Sequence, residues 1–288
     1  MMARLGIALM RVIAHLPLRA VRALGHALGL LLYVLVWPRR RVVEVNLRLC
    51  FPQWTPQQRR RVTREVFVHV AQSFLDRAWL WHADPHVVRS RVHLTGAVHE
   101  LARQHAIILF CPHFVGLDAG VSAMSQQVPR KFVGIYTQQS NPMIDAWVLK
   151  GRNRFGDARP MSRSEGVRDL IAALRAGEMM YLLPDMNFGP EESIFVPFYG
   201  VPAATVPSLS RFARVGRASV VPLITKLVPH GYEVQVGEHW KDFPSNDVEA
   251  DTALMNLRLQ EYVDRMPSQY YWVHKRFKTR PPGMAPVY

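Results

Sequence analysis

Ile107 to Cys111 is apolar at every position, β-branched and aromatic in character, and stopped by Pro112. A strand with no polar side must be covered on both faces, so this segment predicts a sheet held between layers of helix. Val115 to Met124 follows, small and apolar enough to form a helix. His113 then sits at the carboxyl end of the strand and Asp118 about one turn into the helix. Residues five apart on one helix point roughly 140° apart, so this imidazole and carboxylate can meet only if His113 lies ahead of the helix. Of the 12 histidines, His113 alone has an acidic residue five positions on. Chance alone supplies about half a His-x-x-x-x-Asp match in a chain of this length, so the spacing needs support from elsewhere.

The remaining segments alternate between the two periodicities. Arg59 to Trp81 carries Val62, Val66, Val70, Phe74 and Ala78 at helical spacing. Val92–Gly96 reads as a first strand and Val98–Gln104 as a short helix. Further on, Lys131–Tyr136 reads as a strand, Pro142–Lys150 as a helix and Val167–Ala176 as an amphipathic helix closed by Gly177. Met179–Leu183, Val220–Leu227 and Tyr232–Val236 complete the strands, and Thr252–Met266 is a last helix. This alternation predicts an α/β fold: a mostly parallel central sheet flanked by helices, with ligands beyond the strand carboxyl ends. Two such ends carry polar residues, His113 after one strand and Pro184-Asp185-Met186-Asn187 after another. Ser193 to Thr205 is apolar and aromatic but broken by Pro197 and Pro202, which suits a groove wall or a loop over the sheet edge.

The formal charge of +14 calls for an anionic partner: nucleic acid, an anionic membrane surface, a phosphorylated lipid or an acidic carrier protein. Dinucleotide and Walker patterns are missing and the arginines are spread, which disfavours nucleic acid. Cys50 and Cys111 stand far apart, no metal-ligand spacing occurs, and no cofactor is expected. The amino terminus points to lipid. Arg4, Arg11, His15, Arg19, Arg22 and His26 fall within about 80° of one another at helical pitch, with apolar residues elsewhere and Pro17 as a kink. Ala27 to Trp37 is uninterrupted and apolar, but its 11 residues cover only about 16 Å as a helix, against roughly 30 Å of hydrocarbon. Arg39-Arg40-Arg41 follows, so basic residues flank both sides. Residues 1–40 are accordingly expected to form a membrane-anchoring segment lying on the cytoplasmic face rather than a single span, and residues 41–288 the working domain.

Several blocks together closely resemble the late acyltransferases of lipid A biosynthesis: His113 to Asp118, Gly151-Arg-Asn-Arg-Phe-Gly156, Pro184 to Thr205, and the ending Tyr271-Trp-Val-His-Lys-Arg-Phe-Lys-Thr-Arg-Pro281. That family is similar in turn to the wider glycerolipid acyltransferases, and the likeness runs over nearly the whole chain. It implies transfer of a fatty acyl group from acyl carrier protein, or acyl-CoA, to a hydroxyl on a 3-hydroxyacyl chain of a lipid A precursor at the bacterial inner membrane. It implies His113 as general base and Asp118 as its partner, with Arg152, Arg154 and Asp185 in blocks bordering the site. Two departures stand out: many members carry Glu where this chain has Asp118, and a second Asp where it has Asn187.

The chemistry is coherent with those residues. An alcohol is a weak nucleophile, and an imidazole that takes its proton contributes typically ~10²–10⁴ in rate. The carboxylate would fix the tautomer, and Arg152 or Arg154 would receive the charge on the thioester oxygen or hold a substrate phosphate. The basic block Lys275-Arg276-Phe277-Lys278-Thr279-Arg280 is expected to bind an anionic substrate through Lys275 and Arg276. Rival readings are a lysophospholipid or other glycolipid acyltransferase, a Cys111 acyl-enzyme, and a non-enzymatic basic protein of the membrane surface. A serine hydrolase is disfavoured because no Gly-x-Ser-x-Gly elbow occurs.

Overall fold

A computed structural model describes residues 1–156, 158–162 and 166–288. Its centre is a sheet of seven strands in the order β1-β9-β8-β2-β5-β3-β4: β1 (Val92–Gly96), β2 (Ile107–Phe110), β3 (Phe132–Tyr136), β4 (Ala158–Ser162), β5 (Met179–Leu182), β8 (Ser219–Val228) and β9 (Gly231–Val236). The run from β8 to β4 is parallel; β9 folds back antiparallel on β8, and β1 pairs parallel to β9. The mostly parallel α/β sheet expected from the sequence is present. β2 occupies the middle, and its residues alternate as the pleat requires: Ile108 and Phe110 enter one core, Ile107, Leu109 and Cys111 the other.

Helices cover both faces. α1 (Met2–Ile13), α2 (Leu18–Leu35), α6 (Leu117–Gln127) and α7 (Pro142–Arg152) bound one core. α3 (Trp37–Cys50), α8 (Val167–Arg175), α9 (Ser208–Gly216) and α10 (Val248–Arg265) bound the other. α4 (Pro56–His82) serves both, with Val62, Val66 and Phe67 in the second core and Leu75, Ala78 and Trp79 in the first. Its start is locally encoded. Thr55 accepts from the Gln58 backbone while the Gln58 side chain accepts from Thr55, a reciprocal cap with Pro56 at the first helical position. α5 (Pro85–Arg89) links α4 to β1.

Six helices and strands among the described residues were not anticipated in the sequence, the short helices α5 and α9 among them. β4 contains Pro160, which is tolerated because the strand lies at the sheet edge. β6 (Ile194–Phe198) and β7 (Val201–Thr205) form a separate hairpin with Pro197 opposite Pro202. α3 begins with Pro38 in its first turn, directly behind the apolar run of α2. The expected helix at Val98–Gln104 is a 3₁₀ turn, Val98–Ala102.

α2 packs flat against α4. A Cβ added at Gly29 would lie 2.4 Å from Val68 Cα and one at Gly25 2.7 Å from Gln72 Cα, so only glycine permits this approach. Arg22 departs from the expected headgroup stripe. It turns inward to within 3.1 Å of Asp76, a fully buried carboxylate that also accepts from Trp79 and Tyr232. Arg4, Arg11, His15, Arg19 and His26 stay exposed, and beside them lies an apolar face: Leu5, Leu9 and Val12 on α1, Leu24, Leu31, Val34 and Leu35 on α2, then Trp37. By length and composition alone α2 could cross a membrane.

Candidate active site

β2 and β5 are neighbours in parallel register with Phe110 opposite Leu182. His113 and Asp185 each lie three residues beyond that pair, so both chains leave the sheet side by side at its carboxyl edge. The His113 ring meets Asp185 there, with Nδ1 2.7 Å from Oδ1. The His113 backbone N–H donates to Asp185 Oδ2 at 3.0 Å, and the Tyr270 hydroxyl donates to the same oxygen at 2.9 Å. Burial alone would raise the Asp185 carboxyl, but the facing His113 and these hydrogen bonds hold it below its ordinary value. A carboxylate at Nδ1 fixes the proton there and leaves Nε2 as the basic nitrogen.

This corrects the expected pairing of His113 with Asp118. Gly116 turns the chain through a left-handed conformation (φ +85°), its N–H donating to Ser73, and a Cβ there would strike the Tyr232 ring. Asp118 in the first turn of α6 is thereby aimed between α4 and α7, where Arg77 and Arg152 each donate an Nε–H to it at 2.7 and 2.8 Å. Burial opposes its charge, yet the two guanidiniums outweigh burial and keep it well below the usual carboxylate range.

His113, Asp118, Arg77 and Arg152 open onto one cavity of about 460 Å³ whose other walls include Leu117, Val121, Phe132 and Tyr136. An imidazole, cations and an apolar recess thus share one space. The arrangement can deprotonate a hydroxyl and receive developing negative charge beside a hydrocarbon chain.

The other expected site residues lie elsewhere. Arg154 donates to the carbonyls of Leu80 and Ala83, closing the carboxyl end of α4, and does not line the cavity. Arg276 is buried. It donates to Ala204 O and Thr205 Oγ1, both at 2.7 Å, and stacks over Phe198, so it ties the chain end to β7 and presents no charge to a ligand. Lys275 is exposed over the Tyr288 ring. Nor does any residue of the Ser193–Thr205 segment line the cavity, because the hairpin packs toward α10, where Asn256 donates to Pro197 O. Arg276→Gln is therefore expected to lower unfolding free energy by about 1–3 kcal/mol in urea titration, leaving substrate KM values nearly unchanged.

Arg77, Tyr270, Tyr271 and His274 are the participants that sequence reasoning missed. The charged pair Asp76-Arg77 inside Phe74-Leu-Asp-Arg-Ala-Trp-Leu-Trp81 was the available signal, since two charges in an otherwise apolar helical run need a partner. His274 is pushed down to about 4, by burial first and then by Arg276, and its Nε2 accepts from the Asn187 backbone N–H. Neutral His274 thus braces the turn that carries Asp185. Asn187 accepts from Thr279 and Gly189 and donates to Arg276 O, so here it is a loop brace. Among the described residues, His99, Glu100 and Glu238 bring three potential metal-binding atoms within 4.8 Å of one another, but at the opposite edge of the sheet. Arg103 and His239 already engage Glu100 there.

The chain is similar to known proteins along nearly its whole length. The family described as bacterial lipid A biosynthesis acyltransferase matches residues 1–279. The lipid A biosynthesis lauroyltransferase of Escherichia coli (strain K12) is 31% identical over 99% of this chain and 94% of its own length. The lipid A biosynthesis myristoyltransferase of the same organism is 32% identical, over 99% and 89%. A lipid A biosynthesis acyltransferase of Haemophilus influenzae is 30% identical, over 97% and 88%. Among solved structures, the 1-acyl-sn-glycerophosphate acyltransferase of Thermotoga maritima aligns with a TM-score of 0.41 and 11% identity, covering 85% of this chain and 97% of that one. With its length matched almost end to end, the chain belongs to the bacterial lipid A biosynthesis acyltransferases.

Proposed function

We propose that this acyltransferase moves a fatty acyl group from acyl carrier protein, or from acyl-CoA, to a hydroxyl on a 3-hydroxyacyl chain of a lipid A precursor. The observation that carries the mechanism is the 2.7 Å contact between His113 and Asp185 at the edge of a cavity with apolar walls and bound guanidiniums. His113 Nε2 takes the hydroxyl proton as the alkoxide oxygen attacks the thioester carbonyl, while Asp185 holds the ring and stabilises the imidazolium. The tetrahedral intermediate then collapses, the C–S bond breaks, and the proton passes from the imidazolium to the leaving thiolate. Asp118 acts on Arg152 and Arg77, fixing cations that face the carbonyl oxygen or a substrate phosphate. Mass spectrometry of lipid A from cells with and without the gene tests the assignment. Loss of one secondary acyl chain in the deletion is expected; unchanged lipid A together with altered phospholipid acyl composition would favour a lysophospholipid acceptor instead.

Residues 1–40 anchor this activity to the cytoplasmic face of the inner membrane, and residues 41–288 carry it out. The support is the exposed apolar face shared by α1 and α2, with α2 held lengthwise against α4 by Gly25, Gly29 and the Arg22–Asp76 pair. A helix so tied lies in the surface of the bilayer rather than across it. Replacing Leu31, Val34 and Leu35 with Asn is expected to weaken binding to anionic vesicles by at least about 2–3 kcal/mol, from the apolar area lost, in a flotation assay. Labelling of a cysteine at Met2 from the periplasmic side would contradict this placement.

A further inference from the structure

Beside the catalytic cavity lies a second groove, of about 400 Å³, that the mechanism does not use. Leu32 of α2, Val36 at its carboxyl end, Phe67 and Val70 of α4, and Val273 form its apolar walls, with Arg39 and His274 as its charged or titratable members. Tyr271 lines both cavities. Its ring centroid is 6.4 Å from that of His113, and its backbone N–H donates to His113 O at 2.9 Å. At the other end, the last turn of α2, which supplies Leu32 and leads into Val36, also places Leu31, Val34 and Leu35 on the exposed apolar face. The groove therefore lies between the turns of α2 that carry the exposed apolar face and the Tyr271 ring beside His113, with Arg39 and His274 as its polar members.

We infer that this groove admits the hydroxylated acyl chain of the acceptor glycolipid directly from the bilayer, an inference that rests on the acyltransferase reading above. The two substrates differ in where they come from. A donor carried by a soluble protein or by CoA approaches from water, and the catalytic cavity has a cationic rim of Arg77, Arg152 and Arg159 suited to it. The acceptor's reacting hydroxyl lies a few carbons down one of its own chains, so that chain must reach His113 while the rest of the lipid stays in the membrane. A groove walled by the same helix that presents the exposed apolar face meets this requirement, whereas a cavity open only to water would require the whole lipid to be extracted.

The test uses the full-length chain with lipid A precursor in mixed micelles and an acyl carrier thioester as donor. Val70→Trp and Val273→Trp, which fill the groove, are expected to raise the acceptor KM at least tenfold and leave the donor KM within twofold. A rise in donor KM instead, or no change in either constant, would overturn the assignment. Should either variant fold poorly, the wild-type chain can be photolabelled with an acceptor bearing a diazirine on the hydroxylated chain. Adducts within residues 32–36 or 67–70 support the inference, and adducts confined to Val121 and Phe132 in the catalytic cavity refute it. Wild-type enzyme that acylates no lipid A precursor would instead remove the underlying functional reading.

Discussion

His113→Ala is expected to lower kcat by at least about 10²-fold without loss of fold, because it removes the base and not a core side chain. Asp185→Asn should cost at least as much, roughly 10³–10⁴-fold, since the amide neither secures the tautomer nor stabilises the imidazolium. The pairing on which this rests is specific: Asp185 is fully buried, accepts from His113 Nδ1 at 2.7 Å and is held from behind by Tyr270. Steady-state turnover with an acyl thioester donor, alongside circular dichroism, checks both variants. A near-normal Asp185→Asn enzyme, with Asp118→Asn inactive and still well folded, would return the partner role to Asp118.

Asp118→Ala should act first on stability. It strands Arg77 and Arg152, both mostly withdrawn from solvent, and breaking a pair of this kind costs about 3–5 kcal/mol. The pH dependence has a definite sign. Asp118 in the folded chain titrates below its unfolded value of roughly 3.9, so its contribution is complete at neutral pH and is lost only as pH falls through the folded value. Urea titrations of wild type and Asp118→Ala are thus expected to differ most near pH 7 and to converge in strong acid. Arg152 released from Asp118 should also raise KM or lower kcat, so an active, fully stable variant would contradict the positioning role.

Local pattern made much of this molecule legible. Ile107 to Phe110 announced a strand covered on both faces, and the alternation around it named the sheet, because burial imposes its period on the residues that experience it. The histidine was legible for the same reason, standing where such a strand must end. Its partner was not, since the sequence distance of 72 residues to Asp185 is bridged by strand register and not by helical spacing. The nearby Asp118 satisfied the spacing while serving two arginines on other helices. Arg22 and Arg276 misled in a related way. Each belongs to a basic pattern that reads as surface, yet each is turned inward by a contact far along the chain, Arg22 to Asp76 and Arg276 to Ala204 and Thr205. Composition reports how many charges a chain has, and only tertiary contacts decide which of them face water.

We propose that His113, aligned by Asp185, deprotonates a lipid hydroxyl for attack on a thioester. Purified wild-type, His113→Ala and Asp185→Asn chains incubated with isotopically labelled acyl carrier thioester and lipid A precursor test it, with the products resolved by mass spectrometry. The expected result is a labelled ester on a 3-hydroxyacyl chain with wild type and a loss of at least about 10²-fold in its rate of formation with either variant. Undiminished formation of that ester by His113→Ala would rule out His113 as the base.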